Sequence, residues 1–228
     1  MEPLLGCQIH TLPEVDSTNR ALRDLARRGA PEGTVVMAER QTAGRGRLDR
    51  SWESPPGGLY LSVLLRPVPL LPLRLGVAAA RAVEEMCGFG PELKWPNDLL
   101  ADGRKLAGIL VEAEEPWAVA GIGVNVQTEE LSPEVANTAT SLRLLGHRVS
   151  PPELARVVLQ ELEAVYRGPF RIAYYEARCG TLGRRVQVET AGGSVTGVAR
   201  RLDPDGALVV ETADGEARIL AGDVVHLR

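Results

Sequence analysis

Cysteine and histidine are scarce in this sequence: its 228 residues hold three of each. Cys7, Cys87 and Cys179 are far apart and odd in number, which excludes a disulfide framework and the paired spacing of a zinc site. His10, His147 and His226 cluster with nothing, so no metal centre of side-chain nitrogen or sulfur is expected. Aromatic residues make up only 4% and the net charge is -4, a poor match to a general nucleic-acid binder, which needs stacking faces and a basic field. No apolar run reaches membrane length, and no basic segment followed by an apolar core opens the chain. The cytoplasm is the expected location. A Walker-type phosphate loop is missing, and Gly121-Ile122-Gly123 lacks the third glycine of a dinucleotide fingerprint. No serine sits in a nucleophile elbow, and no cysteine and histidine are placed to work together. Cationic side chains around a polar pocket, with no such nucleophile, suit a reaction run by positioning and charge stabilisation, with transfer at a phosphate or carboxylate as the natural class.

What is present fits an ordinary soluble globular chain, with 44% hydrophobic and 25% charged residues. The length allows one large domain, or a large one and a small one. The run Gln8 to Val15 holds a candidate strand. Asp16-Ser17-Thr18-Asn19 then opens a helix with Ala21, Leu22, Leu25 and Ala26 on one face and Gly29 as its stop. Capping alone accounts for Ser17 and Thr18, yet a helix start also presents N–H groups and hydroxyls to a ligand. Strands are expected at Thr34–Glu39, Leu59–Leu65 and Trp117–Val126, and an alanine-rich helix at Leu73–Met86. Asp102-Gly103 signals a hairpin that folds Leu99–Ala101 onto Lys105–Val111, bringing Lys105 near Asn97 and Asp98. Ser150-Pro151-Pro152-Glu153 reads as a capping box ahead of a scaffold helix. After Gly180 short alternating runs separated by turn residues predict a small all-β barrel or sandwich of about five strands.

Three stretches carry chemistry. Gln41-Thr42-Ala43-Gly44-Arg45-Gly46-Arg47 through Trp52 combines glycines that let the backbone fold around a ligand, arginine forks suited to an anion, and an aromatic face. Taken alone, such a stretch is more often a solvated basic loop. Lys94-Trp95-Pro96-Asn97-Asp98 precedes the hairpin, and Lys105 opens the apolar run Leu106–Val111, a better functional position than a helix surface. Gly121 and Gly123 permit close approach to their strand, and Asn125 follows them; a satisfied strand-end amide accounts for Asn125 equally well.

In this order and at this spacing, Ser17-Thr18-Asn19, Gln41 with Gly44-Arg45-Gly46-Arg47, Lys94-Trp95-Pro96-Asn97-Asp98, Lys105-Leu106-Ala107-Gly108-Ile109-Leu110 and Gly121-Ile122-Gly123-Val124-Asn125 resemble the biotin protein ligases, the biotin–[acetyl-CoA carboxylase] ligases. Each motif is weak alone; five in order over nearly the whole chain are specific. The resemblance implies an α+β fold: a mixed-sheet catalytic domain of the class II synthetase-like, biotin–lipoyl ligase type over residues 1–181, and a small SH3-like β barrel over 182–228. It implies formation of biotinyl-5′-adenylate from biotin and ATP with Mg2+, with no protein-held metal, then transfer to a lysine of a biotin carboxyl carrier protein. Lys105, Arg47, Lys94 and Asp98 are the implied catalytic residues. Ser17, Thr18, Asn19, Gln41, Arg45, Gly46, Arg47 and Lys105 would surround biotin, and Arg45, Trp52, Lys94, Asn97 and Asn125 would meet ATP or the adenylate. A homodimer is implied by the resemblance only, and neither DNA nor a membrane is expected as a partner.

Two departures stand out. Many members carry glycine where this chain has Asp49, which alters the expected closing geometry of the loop. Some carry an N-terminal helix-turn-helix domain of ~60 residues, and the sixteen residues before Ser17 are too few for one, so no operator-binding role is expected. The rival enzyme is a lipoyl or octanoyl transferase of the same superfamily, which lacks the Gly-Arg-Gly-Arg and Lys-Trp-Pro-Asn-Asp runs. The rival of another class is a nucleic-acid-binding module using the arginine loop and the C-terminal barrel.

Overall fold

The computed structural model describes residues 5–48 and 50–227; Asp49 lies outside them. The fold follows from a change of period along the chain. Seven strands form one mixed sheet: β1 (Gln8–Val15), β2 (Thr34–Gln41), β3 (Leu59–Leu65), β4 (Glu92–Lys94), β5 (Asp98–Ala101), β6 (Arg104–Glu114) and β7 (Trp117–Val124). Their spatial order is β1-β2-β3-β7-β6-β5-β4, with β1 parallel to β2 and every other neighbour antiparallel. The mixed sheet is the expected fold class. β4 is an addition: it ends at Lys94, where the motif begins, and its three residues are too few to show alternation.

Helix α1 (Thr18–Arg27) covers one face of the sheet, where Leu22 and Ala26 bury against Val36, Leu64 and Val119. Helices α2 (Leu71–Cys87) and α3 (Pro151–Arg167) cover the other. Strand side chains alternate, so the fully buried β3 divides cleanly. Leu59, Leu61, Val63 and Leu65 face the α2–α3 core, while Leu64 faces α1, with Tyr60 and Ser62 in its row. The same parity puts Gly121 and Gly123 of β7, with Val119, on the α1 side. Register pairs Gly108 with Gly123, Leu110 with Gly121 and Glu112 with Val119. One patch of sheet beside the start of α1 is thus lined by glycines and a few polar residues.

Two capping expectations fail. Ser17 and Ser150 occupy the N-cap positions of α1 and α3 with extended backbone, but neither side chain makes a capping hydrogen bond. Ser17 instead accepts α1's first turn through its carbonyl, bonded by Ala21 N–H at 3.0 Å. Its hydroxyl is left for other uses. The Asp102-Gly103 turn does form as expected: both residues have positive φ (50° and 70°), the backbone of a tight two-residue hairpin loop.

After the short helix α4 (Ile172–Glu176), five strands make an antiparallel sheet: β8 (Arg185–Thr190), β9 (Gly193–Leu202), β10 (Leu208–Thr212), β11 (Gly215–Ile219) and β12 (Asp223–His226), in the order β11-β10-β9-β8-β12. Its inner residues, among them Val186, Val188, Leu208 and Val224, join the same hydrophobic core as α2 and α3. Polar bonds secure the junction. Trp95 is 1% exposed; its backbone N–H donates to Thr181 Oγ1 (3.1 Å) and its indole N–H to the Gly206 carbonyl (3.0 Å). Thr181 Oγ1 lies 3.2 Å from His226 Nε2. As Thr181 already accepts from Trp95, its hydroxyl proton is free for the histidine, which then accepts as the neutral ring. Burial, with Lys94 and Arg184 nearby, lowers the His226 pKa to about 4. Among the described residues no helix is long and apolar enough to cross a membrane.

Candidate active site

The glycine-lined patch is the floor of a cavity whose roof is the Gly/Arg loop. Beneath it runs a chain of hydrogen bonds with settled direction. The Thr18 backbone N–H and hydroxyl donate to Gln41 Oε1 (2.8 and 3.1 Å). Gln41 Nε2 donates to Ser54 Oγ (2.8 Å), which donates to the Trp52 carbonyl (3.1 Å). These bonds fix which end of the Gln41 amide is which, and leave one N–H of it for the cavity. Asn19 is more fully committed: Nδ2 donates to Glu112 Oε2 (2.8 Å) and the Leu110 carbonyl (3.3 Å), and Oδ1 accepts from Ser62 (2.6 Å). Gly121 has to be glycine because a side chain there would run into the Asn19 amide.

Glu112 anchors the next group. It meets Arg23 at 2.6 Å and Arg45 at 2.9 Å. Burial would push its carboxyl up, but the Asn19 and Arg23 hydrogen bonds and the charges of Arg23 and Arg45 outweigh this and hold it below the ordinary carboxylate value.

The roof is a small closed loop rather than an open coil. Arg45 bridges Ser51, the Gly46 N–H bonds the Arg50 carbonyl (2.6 Å), and the Trp52 N–H bonds that of Gly44 (2.9 Å). Trp52 lies flat on the floor. A side chain on Gly123 would stand 2.7 Å from its Nε1, and one on Gly108 3.1 Å from its ring. These are the close approaches that the glycines permit. The Trp52 indole N–H is buried without a partner, and the Lys105 ammonium lies 5.4 Å from its ring centre. Arg47 reaches across the cavity, donating to Asn97 Oδ1 (3.1 Å) and the Gly222 carbonyl (3.2 Å). Burial lowers the Arg47 pKa, partly offset by Asp223 and Asp98.

The β5–β6 hairpin sets Lys105 Nζ 2.8 Å from Asp98 Oδ1, an ion pair rather than an aligned hydrogen bond. Asn97 Nδ2 is held by the Ile109 carbonyl (3.0 Å). Lys94, at the end of β4, faces a second, wider cavity with Asn125; Trp52, Asp98 and Lys105 form the wall it shares with the first. Burial lowers the Lys94 pKa, opposed by Asp98 and Asp223. Asn125 donates to the Thr140 carbonyl (2.9 Å), the strand-end amide role, and still lines the second cavity.

The structure therefore collects Ser17, Thr18, Asn19, Gln41, Arg45, Gly46, Arg47, Trp52, Asn97, Asp98 and Lys105 around one cavity and puts Lys94 and Asn125 in its neighbour. Sequence reasoning missed Ser62, Glu112 and Asp223. The first two carried a faint signal, as polar residues in otherwise apolar strands; Asp223, in the C-terminal sheet, carried none. Among the described residues no cluster of three or more acidic, histidine or cysteine side chains could hold a metal.

The sequence pattern of the biotin/lipoate A/B protein ligase family matches residues 12–128, and that of the biotin protein ligase C terminal domain matches 181–227. A biotin–[acetyl-CoA-carboxylase] ligase of Mycobacterium tuberculosis is 41% identical, over 97% of this chain and 90% of its own. A bifunctional ligase/repressor of Bacillus subtilis is 35% identical, over 92% of this chain and 71% of its own. The structure of a biotin protein ligase from Aquifex aeolicus in complex with biotin and ATP superposes with a TM-score of 0.86 at 32% identity, covering 97% of this chain and 99% of that one. With the floor, the arginine roof and the paired cavities in place, these likenesses make this chain a member of the biotin/lipoate A/B protein ligase family, among its biotin protein ligases.

Proposed function

We propose that the chain activates biotin with ATP, releasing pyrophosphate, and transfers the biotinyl group from the resulting adenylate to a lysine of a biotin carboxyl carrier protein. The observation that carries this reading is the position of Lys105 in the wall between two cavities, one floored for a small polar ring and one wide enough for a nucleotide. The biotin carboxylate attacks the α-phosphorus, an O–P bond forms, and the bond to pyrophosphate breaks. Lys105 lies where the carboxylate and α-phosphate would meet, so its ammonium stabilises the negative charge that grows in the transition state. Asp98 keeps it aimed. Arg47 covers the anhydride and Lys94 faces the phosphates from the second cavity. In the second step the carrier lysine nitrogen attacks the anhydride carbonyl, and AMP leaves with its bonding pair.

On the floor, the Ser17 hydroxyl and the remaining N–H of Gln41 offer polar partners to the biotin ureido group, with Thr18 and Asn19 supporting them. The unpartnered Trp52 N–H is a buried donor that a ligand acceptor would satisfy. Trp52 separates the two compartments and offers its ring to adenine, with Asn97 and Asn125 at the nucleotide's edge. The donor set fits magnesium only as an ion arriving on ATP phosphates, the usual habit of that cation; Asp98 and Asp223 are carboxylates that line both cavities. We further propose a domain boundary at 181/182, a cytoplasmic location and a homodimer, the last to be read by sedimentation.

The decisive experiment is pyrophosphate exchange into ATP. Exchange should depend on biotin, and biotin should raise the melting temperature. Exchange with lipoate but not biotin would overturn the reading, and salt-sensitive retention of RNA without adenylation would favour the nucleic-acid module.

A further inference from the structure

The C-terminal sheet holds down the roof of the active site. Arg47 donates to the Gly222 carbonyl, and Arg50 Nη2 meets Asp223 Oδ2 at 2.5 Å. The two acceptors are consecutive residues at the entry to β12, about 170 positions along the chain from the loop that they grip. Their own seat is firm. A side chain at Gly222 would stand 2.6 Å from Val188 Cγ1 and 2.9 Å from the Glu189 carbonyl, so this turn lies flat against β8. Asp223 is itself paired to Glu189 in the β12–β8 ladder. The loop side is the softer partner: the Arg50 side chain is 63% exposed and that of Asp223 31%.

We propose that Gly222 and Asp223 form a latch that keeps the Gly/Arg loop closed over the acyl-adenylate, which makes Asp223 a positioning residue for acceptor choice. The proposal rests on the activity inferred above. An adenylate held under a closed loop waits for its carrier. Under a loose loop it leaves, and any lysine amine in solution attacks the same carbonyl: a C–N bond forms, the C–O bond to AMP breaks, and the amine proton passes to water. A half-exposed ion pair suits this duty, since it biases the loop without fixing it and opens at little cost for each turnover.

The test compares two readouts on the full chain, with no carrier present: biotin-dependent pyrophosphate exchange, and biotin attached to an unrelated lysine-rich protein. For Asp223→Ala and Asp223→Asn, labelling per exchange turnover should rise roughly threefold to fivefold, the scale of a half-exposed pair. Exchanging the partners, Arg50→Asp with Asp223→Arg, should bring the ratio back toward that of the unaltered protein. An unchanged ratio in both single variants, or a swap that fails to lower it, would overturn the latch. A protein without biotin-dependent exchange would instead overturn the activity on which the latch rests. Asp223→Asn keeps the shape of the side chain, so it reads the latch even where the alanine variant unfolds.

Discussion

The floor and the roof of the cavity are built on opposite principles. The floor is buried and its bonds are saturated: Thr18, Asn19 and Ser62 are at most 4% exposed, and nearly every polar atom has a named partner. The roof is held by arginines. Arg45, Arg47 and Arg50 each span to a different element, β6, the turn before β12, and β12 itself. Buried networks are costly to leave half-satisfied, so the floor has one arrangement. Part-exposed ion pairs such as Arg45–Glu112 and Arg50–Asp223 are individually weak, so the roof is held less firmly than the floor. A rigid floor can recognise a small ring, and a movable roof can admit substrates and then exclude water.

The sharpest probe lies where the two meet. Lys105→Ala should slow biotin-dependent exchange by a factor on the order of 10² to 10³, the scale of removing one preorganised charge-stabilising group. The melting temperature should hardly move, because the ammonium is part-exposed. Retained exchange would place the chemistry elsewhere. In the floor, Ser62→Ala strips the Asn19 carbonyl of its donor and should cost about 1–3 kcal/mol. The melting point should fall by roughly 2–4 °C per kcal/mol in a chain of this size, together with weaker biotin binding. A neutral outcome would mean that the floor is less rigid than its bonds imply.

Arg47→Gly removes a roof strut that bonds two elements, and should raise labelling of bystander proteins roughly tenfold, the worth of a charge-assisted hydrogen bond. Labelling confined to the carrier would show that Arg47 is no strut. The smallest effect concerns the seat of the latch. His226 shares β12 with Asp223 and has a folded pKa of about 4, against an ordinary value of 6.5. The unfolded chain therefore binds this proton first. Stability from this residue is complete above pH 6.5 and declines as pH falls toward 4. His226→Gln should flatten that part of the curve of melting temperature against pH. An unchanged slope would exclude the residue.

The Asp102-Gly103 hairpin, the buried strand Leu59–Leu65 and the alternation after Gly180 were legible because they are local: turn chemistry and periodicity act within a few residues. The capping readings of Ser17 and Ser150 were local too, and failed, because an N-cap position does not oblige the hydroxyl to bond. For Ser17 this frees a polar group on the floor of the cavity. Asn19, grouped by motif with the ligand contacts, turns out to spend its amide on Ser62, Leu110 and Glu112.

The sequence by itself determined most of the elements and the order of the motifs, and its cationic side chains without a placed nucleophile pointed to chemistry by charge and positioning. Tertiary structure alone decided the partners. Glu112 reaches Arg45 across 67 residues, Ser62 reaches Asn19 across 43, and Asp223 reaches Arg50 across 173. Separations of that size leave no trace in local periodicity. They arise when the register of β3, β6 and β7 turns one row of each strand toward α1, and when a shared core brings the second sheet against the loop.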